Sequence, residues 1–328
     1  MRHLLSIDDL ERADVERICE RARSFAEVGR RDIKKVPTLR GRTVVNLFYE
    51  ASTRTSASFE LAAKRLSADL VSVKSAGSSV DKGESLQDTI ATLSALGPDA
   101  IVIRSPHAGA AAMVTRWTEA AVINAGDGKH EHPTQALLDV YTLIERLGSL
   151  EGKRIWIVGD IAHSRVARSC IRAFALMGAA VTVAGPPTLM PRGIEGLGCE
   201  VRHTLEDLGE ADVVYALRMQ RERMIDAFVP SLREYAINYQ INPRRLGSRQ
   251  LVMHPGPVNR GVEMAPEAMD GPNSLITTQV ASGLVVRMAV LYEILAGGDR
   301  SRRLREVGDG DEQVRSPSPS PSPIGEPA

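Results

Sequence analysis

Arg54, Lys82, Arg104, His132, Arg165 and Arg218 are scattered along the chain, yet they mostly fall at or just beyond the end of a short apolar run. Together they make a cationic, hydrogen-bond-donating set. Such a set clamps small, multiply anionic molecules and stabilises charge developing on an oxygen. Covalent catalysis has no comparable support, because GxSxG is absent and no Ser-His-Asp or Cys-His arrangement is spaced for it. In open α/β sheets, ligands bind beyond the carboxyl ends of the strands, so turns far apart in sequence can converge there.

The densest turn lies within residues 44–67, VVNLFYEASTRTSASFELAAKRLS. Val44, Val45, Leu47 and Phe48 read as a buried strand; Phe59, Ala62, Ala63 and Leu66 recur at the spacing of a helix face. Ser52, Thr53, Arg54 and Thr55 sit where the strand gives way to the helix. The first-turn N–H groups there have no helical partners, and the helix dipole favours an anion. Arg54 adds planar donors that fit a phosphate or carboxylate bidentately. The plainer alternative makes Ser52 a cap and Arg54 a solvated side chain. A cap needs a single hydroxyl, whereas this turn offers three beside a cation.

The other turns are looser. Gly77 and Gly83 bracket a loop carrying Ser78 and Lys82, which either delivers a point charge to a phosphate or is simply exposed. Arg104 ends the strand-like DAIVIR. Lys129-His130-Glu131-His132-Pro133-Thr134-Gln135 gathers donors at a helix start but lacks the HExxH spacing of a zinc site. Hydrogen bonding to a polar substrate suits His132 and Gln135 better. Arg165 follows RIWIVGD, and the absence of GxGxxG and GxxxxGK[ST] argues against a nucleotide. Arg218 and Gln220 lie just past DVVYAL, placed to read a carboxylate, although Arg218, Arg221 and Arg223 also fit a solvated face. His254-Pro255-Gly256-Pro257 follows QLVM, with His254 open to a structural role.

Strands are expected at 44–48, 69–74, 99–104, 121–126, 153–159, 180–184, 199–202 and 212–217, and at the QLVM segment from 250. Helices are expected at 6–26 with Ser6 as cap, 53–67, 84–96, 108–117, from Pro133 to Gly148, 164–177 and 275–295. This alternation is that of an α/β protein with doubly wound parallel sheets, and so many strands divide more naturally into two domains than one sheet.

Hydrophobic residues make up 43% and charged residues 25%, as in an ordinary soluble protein, and formal net charge is zero. Zero net charge and 4% aromatic residues give no support to nucleic-acid binding. Cys19, Cys170 and Cys199 form neither a metal knuckle nor a disulfide framework, and Cys170 reads as a small buried hydrophobe. The acidic N-terminal stretch lacks a signal-peptide core, and no run of about 18 uncharged apolar residues occurs. A reducing, cytoplasmic setting without membrane attachment is expected. Residues 299–328, charged and then Ser/Pro-repetitive, are expected to be a disordered tail.

Ser-Thr-Arg-Thr at 52–55, Lys-Gly-Glu at 82–84, His-Pro-Thr-Gln at 132–135, Arg-Met-Gln at 218–220 and His-Pro-Gly-Pro at 254–257 occur in this order. Over about residues 3 to 298 the chain resembles the aspartate/ornithine carbamoyltransferase family, and within it the aspartate-specific catalytic chains. The resemblance implies carbamoyl transfer from carbamoyl phosphate to L-aspartate, on the route to pyrimidines, with no metal and no organic cofactor. It implies a carbamoyl phosphate domain at 1–134 completed by the helix at 275–298, an aspartate domain at 135–274, and a site in the cleft between them.

By resemblance, Ser52, Thr53, Arg54 and Thr55 hold the phosphate, Arg104, His132 and Thr55 face the carbamoyl oxygen, and Gln135 binds the carbamoyl amide. Ser78 and Lys82 match residues inserted from a neighbouring chain of a homotrimer. Arg165, Arg218 and Gln220, with Lys82, match the aspartate-binding positions. Pro255 and Gly256 offer backbone carbonyls; Gly256 stands where some members have leucine, which leaves a backbone role intact. An ornithine enzyme would carry Asp-x-x-x-Ser-Met-Gly and His-Cys-Leu-Pro, and neither is present. The resemblance leaves open larger assemblies with regulatory chains or with dihydroorotase.

Overall fold

The computed structural model describes residues 1–74, 83–220 and 228–296. Ser78, Lys82, the arginines at 221 and 223 and the expected tail lie outside the described residues. Two parallel sheets organise the chain. The first comprises β1 (Thr43–Phe48), β2 (Asp69–Lys74), β3 (Ala100–Ser105) and β4 (Ala121–Asp127), in the order β2-β1-β3-β4. The second comprises β5 (Arg154–Val158), β6 (Ala180–Ala184), β7 (Cys199–Arg202), β8 (Val213–Ala216) and β9 (Leu251–Met253), in the order β7-β6-β5-β8-β9. Each order reverses direction once, at β1/β3 and at β5/β8, and a doubly wound sheet binds ligands at such points.

The central strands are apolar on both faces, as a sheet covered by helices on both sides requires: β1 is buried from Val44 onward and β8 throughout. Between strands run α2 (Thr53–Arg65), α3 (Leu86–Ser94), α4 (Ala110–Val114), α6 (Arg165–Leu176) and α7 (Leu232–Tyr239), and a short α8 (Pro266–Met269) follows β9. Two helices join the halves. α5 (Pro133–Leu147) has proline in its first turn and is buried from Pro133 to Leu143. α9 (Ile276–Leu295) packs against α2, α5 and α1 (Arg12–Val28). Its length and apolarity would suffice to cross a membrane, but 72% of its most apolar window is buried inside the fold. It is a core helix, apolar nearly all round because neighbours surround it.

The N-terminal helix departs from expectation. Ser6 caps a single 3-10 turn, Ile7–Asp9, and Leu10 is extended. Glu11 then forms a second capping box, with Asp14, that starts α1. Two overlapping cap signals divide the expected helix at 6–26. α7 went unexpected because it is short and buries only Tyr235.

Candidate active site

β1 delivers its chain into the Ser52 turn as the sequence predicts. Ser52 is the N-cap of α2, yet its hydroxyl makes no capping hydrogen bond. The plain capping alternative therefore fails for this side chain. Thr55 is buried, whereas Thr53 and Arg54 are exposed. Arg54 reaches across to the other half of the chain. Gly256 has φ +64, and a Cβ built there would stand 2.9 Å from Arg54 Cζ. The backbone of the His254-Pro255-Gly256 turn thus lies against the guanidinium, with a cis bond between Gly256 and Pro257.

Arg104 sits at a register shift. Ile103 faces Asn124 and Ser105 faces Asp127, so β4 spends one more residue than β3 across this interval. Such a bulge re-aims side chains at a sheet's rim. The extra backbone includes Gly126, at φ +115, where a Cβ would meet Arg165 Nη1 at 2.8 Å and Arg104 Nη1 at 3.3 Å. A larger residue would fill the space in which arginines from the two halves approach each other. Arg104 Nη1 donates to the Ala125 carbonyl at 3.3 Å.

Glu50 holds these arginines together. Its Oε2 accepts from Arg104 Nε at 3.2 Å and from Arg165 Nη2 at 2.6 Å. Arg165, at the start of α6 behind the Ser164 cap, is only 3% exposed, and its Nη1 is buried without a hydrogen-bond partner among the described residues. A buried, unsatisfied cationic donor is costly unless a ligand completes it. Glu50 was not singled out in the sequence. Its signal is its place as the acid just before a cationic turn.

His132 caps α5 without a side-chain hydrogen bond, and its backbone N–H donates to Ser169 Oγ at 2.8 Å. Burial holds its pKa well below the ordinary value, helped by Arg104, Arg287 and Arg165. The imidazole is therefore neutral near pH 7 and acts as a hydrogen-bonding group rather than a cation. His130 instead turns Nδ1 to Asp127 at 3.1 Å, so the two histidines do not form a pair. Arg287, on α9, lies 5.2 Å over the Phe59 ring, and burial pushes its pKa down to about 10.

Gln135 turns its amide nitrogen to both oxygens of Asp139, at 3.1 and 3.2 Å. Asp139 is fully buried and also accepts from Gln279 Nε2 at 2.7 Å, Tyr215 Oη at 2.7 Å and Cys170 Sγ at 3.5 Å. Burial raises its pKa to about 6 despite these donors. Gln279 Oε1 accepts the His254 backbone N–H at 3.0 Å, which ties the Pro255-Gly256 turn to α9. Cys170 is buried, as expected. Asp139 and Gln279 were missed; a carboxylate inside an apolar helical stripe, four residues after Gln135, was the available sign.

Beyond β8, Arg218 and Gln220 are half-buried, and Met219 between them is buried with Leu189 and Tyr235. Asp160 positions this segment by accepting the Gln220 backbone N–H at 3.2 Å; it also faces His163 Nδ1 at 2.8 Å. His254 is buried; burial lowers its pKa, Glu263 opposes the shift, and Arg54 and Arg218 add to it. Arg54 from the first half and Arg218 from the second thus act electrostatically on one imidazole. Arg54, Arg104, His132, Gln135, Arg165, Arg218 and Gly256 are connected through these contacts across the two sheets.

Residues 2–145 match the family model described as aspartate/ornithine carbamoyltransferase, carbamoyl-P binding domain, and residues 151–294 match its Asp/Orn binding domain. The aspartate carbamoyltransferase catalytic subunit of Acidothermus cellulolyticus is 55% identical over 303 residues, covering 91% of this chain and 94% of the relative. The catalytic subunit of M. jannaschii aspartate transcarbamoylase superposes with TM-score 0.79 at 34% identity, covering 91% of this chain and 99% of that one. Aspartate transcarbamoylase from Trypanosoma cruzi in complex with N-(phosphonacetyl)-L-aspartic acid gives TM-score 0.81 at 31% identity, covering 90% and 96%.

Proposed function

The chain belongs to the aspartate/ornithine carbamoyltransferase family, and from that premise we propose how its residues divide the reaction. The enzyme transfers the carbamoyl group of carbamoyl phosphate to the amine of L-aspartate, giving N-carbamoyl-L-aspartate and phosphate for pyrimidine synthesis. Ser52, Thr53, Arg54 and Thr55 receive the phosphate at the start of α2, where free first-turn N–H groups favour an anion. Arg104, neutral His132 and Thr55 donate to the carbamoyl oxygen, and Gln135 accepts from the carbamoyl amide. Arg165, Arg218 and Gln220 bind the carboxylates of aspartate, while the Pro255 and Gly256 carbonyls face the nitrogens.

The deprotonated amine attacks the carbamoyl carbon, negative charge gathers on the carbamoyl oxygen, and the carbon–oxygen bond to phosphate then breaks. Phosphate leaves with the electron pair into the pocket of Arg54 and Lys82 and takes up the proton that the attacking amine gives up. Fixed donors stabilise the oxyanion, and clamping two small anions side by side removes much of the entropic barrier. The observation that carries this reading is the clasp at Glu50, which holds Arg104 of the first sheet beside Arg165 of the second.

Residues 1–134 with α9 make the carbamoyl phosphate half, and 135–274 the aspartate half. Ser78 and Lys82 enter the site of the neighbouring chain in a homotrimer. Buried thiols at Cys19, Cys170 and Cys199 suit a reducing cytoplasm. The test is product formation from carbamoyl phosphate with aspartate against ornithine. Carbamoyl aspartate should form and citrulline should not; the opposite preference would refute the acceptor assignment.

A further inference from the structure

Asp139 touches none of the groups that face the two substrates' charges, yet it bonds to both side-chain amides of the buried network. A carboxylate only accepts hydrogen bonds, so each amide that meets it must present nitrogen. Gln135 donates Nε2 to both oxygens, and Gln279 donates Nε2 to Oδ1. The far end of each amide is then a carbonyl. Gln279 uses its carbonyl to hold the His254 N–H. The side-chain hydrogen bonds of Gln135 to the described residues use Nε2, and none uses Oε1.

From this geometry we propose that Asp139 is a positioning residue that makes Gln135 an acceptor, and thereby makes the site select a transferable acyl group bearing N–H over one bearing methyl. This rests on the reading that Gln135 faces the carbamoyl amide. Tyr215 and Cys170 occupy the outer oxygen and keep the carboxylate turned toward the amides. Without a fixed acceptor, the Gln135 amide can turn over and offer N–H to N–H. A site built around such a hydrogen bond rejects the analogue lacking it by large factors, because the bound analogue shields the polar group from water without replacing the hydrogen bond.

Acetyl phosphate is the discriminating probe. It has methyl where carbamoyl phosphate has NH2; aspartate attack on its carbonyl carbon expels phosphate and yields N-acetylaspartate. The ratio of kcat/KM for carbamoyl phosphate to that for acetyl phosphate is measured in the wild type, Asp139→Asn and Gln135→Leu. The ratio should fall at least tenfold in both variants, mainly through the carbamoyl phosphate value. A general loss of packing would lower both substrates together and leave the ratio in place, which would overturn the proposal.

If Gln135→Leu collapses the ratio while a folded Asp139→Asn keeps it, the role of Gln135 stands and that of Asp139 is refuted. An unchanged ratio in Gln135→Leu would overturn both. Should Asp139→Asn fail to fold, the wild type decides by its pH profile. The titratable and charged groups facing Asp139 are Cys170 on α6, Tyr215 on β8 and Arg287 on α9. Burial keeps Cys170 and Tyr215 protonated, while Arg287 stays cationic. Protonation of Asp139 as pH falls through about 6 converts an acceptor into a donor, so the ratio should fall there. A ratio that holds steady from neutral pH to well below that value would contradict the proposal.

Discussion

The guanidinium of Arg54 rests on the backbone of Gly256, so closely that a Cβ on this glycine would stand 2.9 Å from Cζ. The first strand-to-helix turn of one sheet is thereby matched to the last strand end of the other. The left-handed φ of +64 adds a second reason for glycine at this position.

Gly256→Ala should therefore move Arg54 rather than unfold the protein, because the guanidinium is the far end of a flexible side chain. The expected stability loss is about 1–2 kcal/mol, from a non-glycine residue at positive φ. Carbamoyl phosphate KM should rise several-fold with a smaller change in aspartate KM. Steady-state kinetics beside a thermal melt check this; an unchanged KM would mean that Arg54 finds its place without the turn.

Glu50→Ala should remove the shared anchor of Arg104 and Arg165. Misplacing catalytic groups by an ångström costs on the order of a hundredfold, so kcat should drop between about tenfold and a hundredfold. Aspartate KM should rise as well, since Arg165 loses its anchor. Unaltered kinetics in both would show that the clasp is not needed for catalysis.

Two of the groups that the sequence left unmarked, Glu50 and Asp139, are acids whose meaning depends on partners brought from elsewhere. Beside Thr53 and Arg54, Glu50 is one more polar residue until β3 and α6 bring Arg104 and Arg165 to it. Asp139 looks like a misfit in an apolar helix until Tyr215 and Gln279 arrive from β8 and α9. The strands at 69–74, 180–184 and 199–202 were legible to the residue, because apolar runs bounded by polar turns are local signals. The N-terminal helix was not, because its two caps compete over a few residues. Among the motif residues, the turns at Arg54, Arg104, Arg165 and Arg218 were legible as strand or helix ends. Their mutual approach depends on the bulge at Gly126 and on two joining helices, which periodicity does not reveal.

His132→Ala should lower kcat by about 10²–10³, the usual loss for one donor to a developing oxyanion. Because the folded-state pKa of His132 lies well below its ordinary 6.5, the acid limb of the pH–rate profile should stay where it is in the variant. The stability consequence has a definite sign. Below about pH 6.5 the unfolded chain takes up this proton before the folded one does. The contribution of neutral His132 is thus present above that pH and drains away as pH falls. Wild type minus variant stability should shrink on acidification, as measured by denaturant titration at several pH values; a growing difference would mean a charged imidazole in the fold.

A shared site predicts complementation. Arg54→Ala and Lys82→Ala proteins, each inactive alone, should regain activity after dissociation and joint reassembly. By counting interfaces in a cyclic trimer, about one site in three per mixed trimer is intact. No recovery, with exchange verified by mass, would place Lys82 in its own chain's site.

If groups from both sheets face one cleft holding both substrates, a ligand that joins both substrates must depend on both halves of the chain. N-(phosphonacetyl)-L-aspartate carries a phosphonate and an aspartate in one molecule, and titration calorimetry can follow it against wild type, Arg54→Ala and Arg218→Ala. Both substitutions should weaken binding by roughly a hundredfold or more, the loss of a charged hydrogen-bonded contact of about 3 kcal/mol. Inorganic phosphate should be weakened only by Arg54→Ala. If Arg218→Ala binds the two-headed ligand as tightly as wild type, Arg218 does not contribute to the site and aspartate is held without it.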